Sequence, residues 1–212
     1  MVKVFLFCAD IPIDFKYSEL LPLWRRERFL ALRNEKARQE CLAAGLLYSY
    51  ALADCGISAD NEPVCILPAG KPIFSGRNDV YFSISHSGGW AACAIGSVPL
   101  GVDIQSERPI KDTMLRRFHP EEQAYYAGLS DEEKQHAFFR LWTRKEAWVK
   151  AKSAGHMLTL DECSVLHDFG GVLFKEFAPT QGLCGAVCLT ESENVDIIRV
   201  SRDTLLAGCI EF

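Results

Sequence analysis

The feature that most restricts the fold of this chain is a change of hydrophobic period that happens twice. Residues 19–32 and 35–54 space their apolar side chains as helices do; Leu42, Leu46 and Ala53 fall in the second stripe and Gly56 lies just past its end. The pattern then shortens to runs at 80–86, 90–95 and 100–105, cut by Ser87-Gly88-Gly89 and by Gly96-Ser97-Val98-Pro99. Such punctuation predicts a three-stranded antiparallel meander. Helical sequence returns with His119-Pro120-Glu121-Glu122 and again with Ser130-Asp131-Glu132-Glu133, a capping-box start for a helix running to about residue 152. Past Gly155, strands are expected at 163–167, 172–177 after a Gly170-Gly171 turn, 183–189 and 196–200. A short apolar run at 2–8 adds one buried strand. Helices followed by strands, given twice, predict an α+β fold of two lobes, 1–105 and 106–212.

Composition narrows the function. With 212 residues, 49% of them hydrophobic, the chain buries a sizeable core without staples. A net charge of −5 with no long basic block argues against a nucleic-acid partner. Nine cysteines are scattered with no CxxC pair, and the odd count fits reduced thiols in the cytosol. The stretch from Met1 to Ala9 stops at Asp10, too short for a secretory signal, and no run approaches the ~18 apolar residues of a membrane span. A soluble cytoplasmic protein without a membrane partner is expected.

Three clusters could carry chemistry. In Gly101-Val102-Asp103-Ile104-Gln105 strand alternation puts Leu100, Val102 and Ile104 on one face and Asp103 with Gln105 on the other. Two oxygen-bearing side chains at that spacing suit a hard cation such as Mg²⁺. Taken alone, they also suit the solvated face of an edge strand. Within residues 138–150, Trp142, Glu146, Val149 and Lys150 share a helix face, with Glu146 and Lys150 one turn apart. They read either as an exposed ion pair or as a carboxylate for metal or proton work beside a cation for phosphate charge. Ser83-Ile84-Ser85-His86-Ser87-Gly88-Gly89 offers hydroxyls, an imidazole and open N–H groups. These gather phosphate oxygens or simply stabilise a turn; the segment is neither a GxSxG elbow nor a P-loop. Arg25, Arg26, Arg28 and Arg33 form a basic stretch, and Lys71 sits in a loop between Gly70 and Pro72.

In order and spacing, Gly70-Lys71-Pro72, Ser85-His86-Ser87-Gly88, Gly101-Val102-Asp103-Ile104 and Trp142…Lys145-Glu146-Ala147…Lys150 resemble the phosphopantetheinyl transferase superfamily, in its larger monomeric type. The resemblance implies two similar lobes of helices and antiparallel sheet related by a pseudo-twofold, with the site between them. It implies transfer of the 4′-phosphopantetheine of coenzyme A to a serine of an acyl or peptidyl carrier protein, with Mg²⁺ and release of 3′,5′-adenosine bisphosphate. Asp103 and Glu146 match the metal-binding carboxylates, and Gln105 stands at a third, often acidic position. Lys150 matches the lysine facing the transferred phosphate, and Glu146 is the candidate base. Ser85 and His86 match contacts to the 3′-phosphoadenosine end, and Lys71 a coenzyme A phosphate contact. Arg25 and Arg28 correspond to basic residues of the first helical region and Arg38 to one in the next helix. The departure is Gln105, for which Glu107 is a substitute if the strand continues. It keeps open a catalytically silent coenzyme A or carrier binder, and a Mg²⁺ pyrophosphohydrolase is the other competing class.

Overall fold

A computed structural model describes residues 1–152 and 159–210. Along the chain run β1 (Val2–Cys8), a 3-10 turn (Phe15–Leu20), α1 (Leu23–Ala31), α2 (Glu35–Ala53), β2 (Val64–Ile66), β3 (Pro72–Phe74), β4 (Tyr81–Ser87), β5 (Trp90–Gly96) and β6 (Leu100–Ser106). There follow α3 (Asp112–Leu115), α4 (Pro120–Ala127), α5 (Asp131–Lys152), β7 (Leu173–Phe177), β8 (Leu183–Leu189), β9 (Val195–Arg199) and α6 (Arg202–Ile210). This is a mixed α+β fold with largely antiparallel sheets. Gly155, beyond which strands were expected, lies outside the described residues. No helix among the described residues is long and apolar enough to cross a membrane.

Two sheets stack between helices. The first has the order β4-β5-β1-β9, with β9 parallel to β1, and the second the order β6-β8-β7. Alternation on β1 explains why its sequence is apolar but for Lys3, whose ammonium pairs with Asp54. Phe5 and Phe7 pack towards α2 with Leu42 and Leu46, while Val2, Val4 and Leu6 meet Val102, Ile104, Val187 and Leu189 between the sheets. On the far side of the second sheet, Ala186 and Cys188 of β8 join Phe138, Leu141 and Ala147 of α5. The layers are therefore α2, sheet, sheet, α5.

Several expectations are corrected. The meander does not form: β5 already has β4 on one edge and β1 on the other, so β6 pairs with β8 instead. The helix expected over 19–32 is split, because Pro22 disfavours helical backbone at Leu21 and becomes the cap of α1. The strand expected at 163–167 is irregular chain, since its backbone serves a buried ion pair. Lys145 Nζ donates to Glu122 (2.7 Å) and to the carbonyls of Leu160 (2.5 Å) and Cys163 (2.9 Å), and Glu122 accepts from the Val165 N–H (2.7 Å). Both charged side chains are fully buried, so each needs these partners to offset desolvation. The hairpin of β2 and β3 and the terminal α6, whose Gly208 lies against the Tyr50 ring, were not expected from sequence.

The free edge of β6 is closed by side chains. The hydroxyls of Ser83, Ser85 and Ser87 on β4 accept the N–H groups of Val102 (3.0 Å), Ile104 (3.3 Å) and Ser106 (3.1 Å). Both strands repeat every two residues, so a Ser-x-Ser-x-Ser run meets each edge N–H in turn. Ser83 is 2% exposed. Ser83→Ala should therefore strand the Val102 N–H and lower stability by about 1–3 kcal/mol. A urea midpoint that falls at constant m-value would show it, whereas an unchanged midpoint would mean that the hydroxyl contributes nothing.

Candidate active site

The site lies where β6, α5 and β4 converge, and its geometry begins with a glycine. A Cβ on Gly101 would stand 2.1 Å from the Ala147 carbonyl oxygen and 2.6 Å from the Ala151 nitrogen, so only glycine lets α5 approach β6 this closely. The next strand residues but one, Asp103 and Gln105, face the helix, and Glu146 and Lys150 face the strand. Opposite them stand the end of β4 and the loop carrying Lys71. A cleft of 520 Å³ opens between these elements.

Asp103 is 3% exposed and both its oxygens are engaged. Oδ1 accepts from Lys150 Nζ (2.7 Å) and Ser85 Oγ (2.8 Å), and Oδ2 from the Gln105 amide (3.0 Å). Lys150 also donates to the Val102 carbonyl (2.9 Å), so its ammonium reaches across to the strand. Glu146 is half-buried beside this group. Burial, and then the Asp103 carboxylate, push its carboxyl above the ordinary glutamate range, partly offset by Lys150 and Arg117. Two carboxylates held together in a poorly solvated cleft repel each other, which is the arrangement a divalent cation relieves. The donor set of Asp103, Glu146 and the Gln105 amide fits a hard ion.

The remaining wall is cationic. Lys71 Nζ donates to the Leu100 carbonyl (3.1 Å) and to the carbonyl of Lys150. Burial, then the Lys150 charge, bring its ammonium down to about 8. Alternation on β4 sends Ser85 to Asp103 and His86 the other way, to Glu40 on α2, with Nδ1 to Oε2 at 3.3 Å. Burial lowers the His86 imidazole despite Glu40. Glu40 also accepts the Gly89 N–H (3.3 Å), fixing the turn after β4. Arg25 is buried, stacks near Trp24 and donates to the Cys41 carbonyl (3.0 Å); Arg28 is exposed at the rim.

Of the residues that the resemblance gives a metal, catalytic or coenzyme A role, Arg25, Arg28, Lys71, Ser85, His86, Asp103, Gln105, Glu146 and Lys150 line this cleft. Arg38 does not. Its guanidinium lies 4.5 and 4.6 Å from the ring centres of Phe15 and Phe29, away from the cleft. Glu107 is no substitute for Gln105 either, because β6 ends at Ser106 and the Glu107 carboxylate turns to His136 (2.7 Å). Sequence reasoning missed Glu40 and Trp24. A lone glutamate on a helix gives no signal until its histidine partner is placed.

Comparison with known proteins places the chain in a family. Residues 99–197 match the 4′-phosphopantetheinyl transferase superfamily. The 4′-phosphopantetheinyl transferase Sfp of Bacillus subtilis (strain 168) is 34% identical over 65% of this chain and 67% of its own. The 4′-phosphopantetheinyl transferase HetI of Nostoc sp. is 34% identical over 57% of this chain and 54% of its own. A relative from Synechocystis sp. is 30% identical over 97% of this chain and 80% of its own.

The Glu146 carboxyl gives a direct check on the cleft. Asp103→Asn removes the neighbouring negative charge, so the Glu146 pKa should fall towards the ordinary range when followed by carboxyl ¹³C NMR. A titration that does not move would mean that the two carboxylates do not share one environment.

Proposed function

The chain belongs to the 4′-phosphopantetheinyl transferase superfamily and is an enzyme of that kind, and from this premise we propose how its cleft performs the transfer. The substrates are coenzyme A and an acyl or peptidyl carrier protein; a carrier serine attacks the pantetheine-side phosphorus and 3′,5′-adenosine bisphosphate leaves. The observation that carries this reading is the buried Asp103 beside Glu146 and Lys150 in a cleft rimmed by cations. Phosphoryl transfer asks the protein for positioning and charge stabilisation more than for covalent chemistry.

Glu146 takes the serine proton. Its raised pKa brings it closer to the pH at which a carboxylate works best as a general base. Lys150, steered by Asp103, presents its ammonium to the transferred phosphate. Lys71, His86, Arg25 and Arg28 bind the phosphates and the 3′-phosphoadenosine end, and Ser85 holds Asp103 in place. Asp103 and Glu146, with the Gln105 amide oxygen, would hold Mg²⁺, which when bound supplies neutralisation of the pyrophosphate charge. The chain acts as two lobes, about residues 1–105 and 106–212, with the cleft at their seam, except that β6 pairs into the second sheet while β9 and α6 pack back on the first. We place the enzyme in the cytosol as a monomer; nine free thiols suit a reducing compartment.

Intact-mass measurement of apo carrier proteins incubated with coenzyme A and Mg²⁺ tests the reading. One phosphopantetheine should be added to a carrier serine, and Glu146→Gln should lower kcat by about 10²–10⁴-fold. Lys71→Ala should act through KM for coenzyme A instead. In the unaltered enzyme, coenzyme A binding should weaken as pH rises through about 8, where the Lys71 ammonium is lost, and Lys71→Ala should flatten that dependence. Carriers that stay unmodified while coenzyme A is hydrolysed would contradict the transferase reading.

A further inference from the structure

Beyond the end of β6, a second constellation of ligating atoms lies outside the cleft. Glu107 follows the strand, Cys184 is on β8 directly opposite Gln105, and His136 comes from the first part of α5. Their ligand atoms lie within 4.8 Å of one another. Cys184 Sγ is 3.5 Å from Glu107 Oε1 and 3.6 Å from His136 Nδ1, and the oxygen and nitrogen are 2.7 Å apart.

These separations can be set against a tetrahedral ion. Zinc bonds of about 2.3 Å to sulfur and about 2.0–2.1 Å to nitrogen and oxygen place S···N and S···O edges at about 3.5 Å and N···O at about 3.3 Å. The two sulfur edges already match. The nitrogen-to-oxygen edge is short by about 0.6 Å on that geometry, and His136, 64% exposed, has the freedom to supply it. The thiol and imidazole select a borderline-soft divalent ion over Mg²⁺, which takes oxygen ligands. The exposed side leaves a fourth position to water.

We propose that Glu107, His136 and Cys184 form a zinc-binding site, separate from the cleft, that ties α5 to the ends of β6 and β8. Along β6 it lies four residues from Asp103, or about 13 Å. Zinc binds Cys184 as the thiolate, its proton leaving to solvent, and His136 through Nδ1 as the neutral imidazole. The bound ion bridges strand and helix at the end opposite the Gly101 contact, so both ends of the β6–α5 seam are then fastened.

Cobalt titration of the full, reduced chain tests this, because a thiolate ligand produces a near-ultraviolet charge-transfer band. One equivalent of Co²⁺ should generate the band, and Zn²⁺ should abolish it by displacement. Cys184→Ser should remove the band, and His136→Ala, on the surface, should weaken binding by more than about 100-fold, beyond the loss typical of an outer-shell partner. Zinc should also raise the Tm of the unaltered protein and leave that of His136→Ala unchanged. A band that persists in Cys184→Ser, equal affinity in His136→Ala, or no thiolate band at all would overturn the site and leave the three side chains as a hydrogen-bonded cluster.

Discussion

The site depends first on the contact of Gly101 with the backbone of α5, where any side chain would collide with the Ala147 carbonyl. Because the helix lies directly on the strand, Lys150 reaches Asp103 and Glu146 shares its cleft. One added methyl group would push α5 outward and separate the carboxylates before it touched any of them. The glycine of Gly-Val-Asp-Ile is therefore a distance setting for chemistry two residues away, and it explains why the strand and helix motifs have value only together.

A second constraint holds β6 itself. As an edge strand of the second sheet it presents unpaired N–H groups, which would otherwise be a liability. The serines of β4 satisfy them, and Ser85 does so while donating to Asp103. One hydroxyl thus joins the two sheets and orients the carboxylate. On the other flank, the Lys145–Glu122 pair fixes the rotation of α5, sending Lys145 into the core while its neighbour Glu146 faces the cleft. Adjacent charged residues on one helix serve different ends because successive side chains point about 100° apart.

Much of this was legible in the sequence because it is local. The boundaries of β1, α2 and β8, the helix start at His119-Pro120 and the face shared by Asp103 and Gln105 follow from periodicity and turn chemistry. What was not legible depends on competition between distant partners. Whether β6 pairs with β5 or β8 turns on β1 having taken the free edge of β5, and no local pattern reports that. Arg38 entered only by its resemblance to a basic residue of the family's second helical region, and an arginine on a helix shows no sign of the aromatic rings that the fold brings to it. The 163–167 segment read as one of the strands after Gly155; the buried ion pair that claims its backbone spans residues 122 and 145.

The most direct measurement is anomalous diffraction at the manganese edge from crystals grown with coenzyme A and Mn²⁺ in place of Mg²⁺. The expected result is one peak at about 2.1 Å from a carboxylate oxygen of both Asp103 and Glu146, with the pyrophosphate between that peak and Lys150. A peak elsewhere, or coenzyme A bound away from the β6–α5 seam, would contradict the assignment of this cleft as the place where phosphopantetheine is transferred.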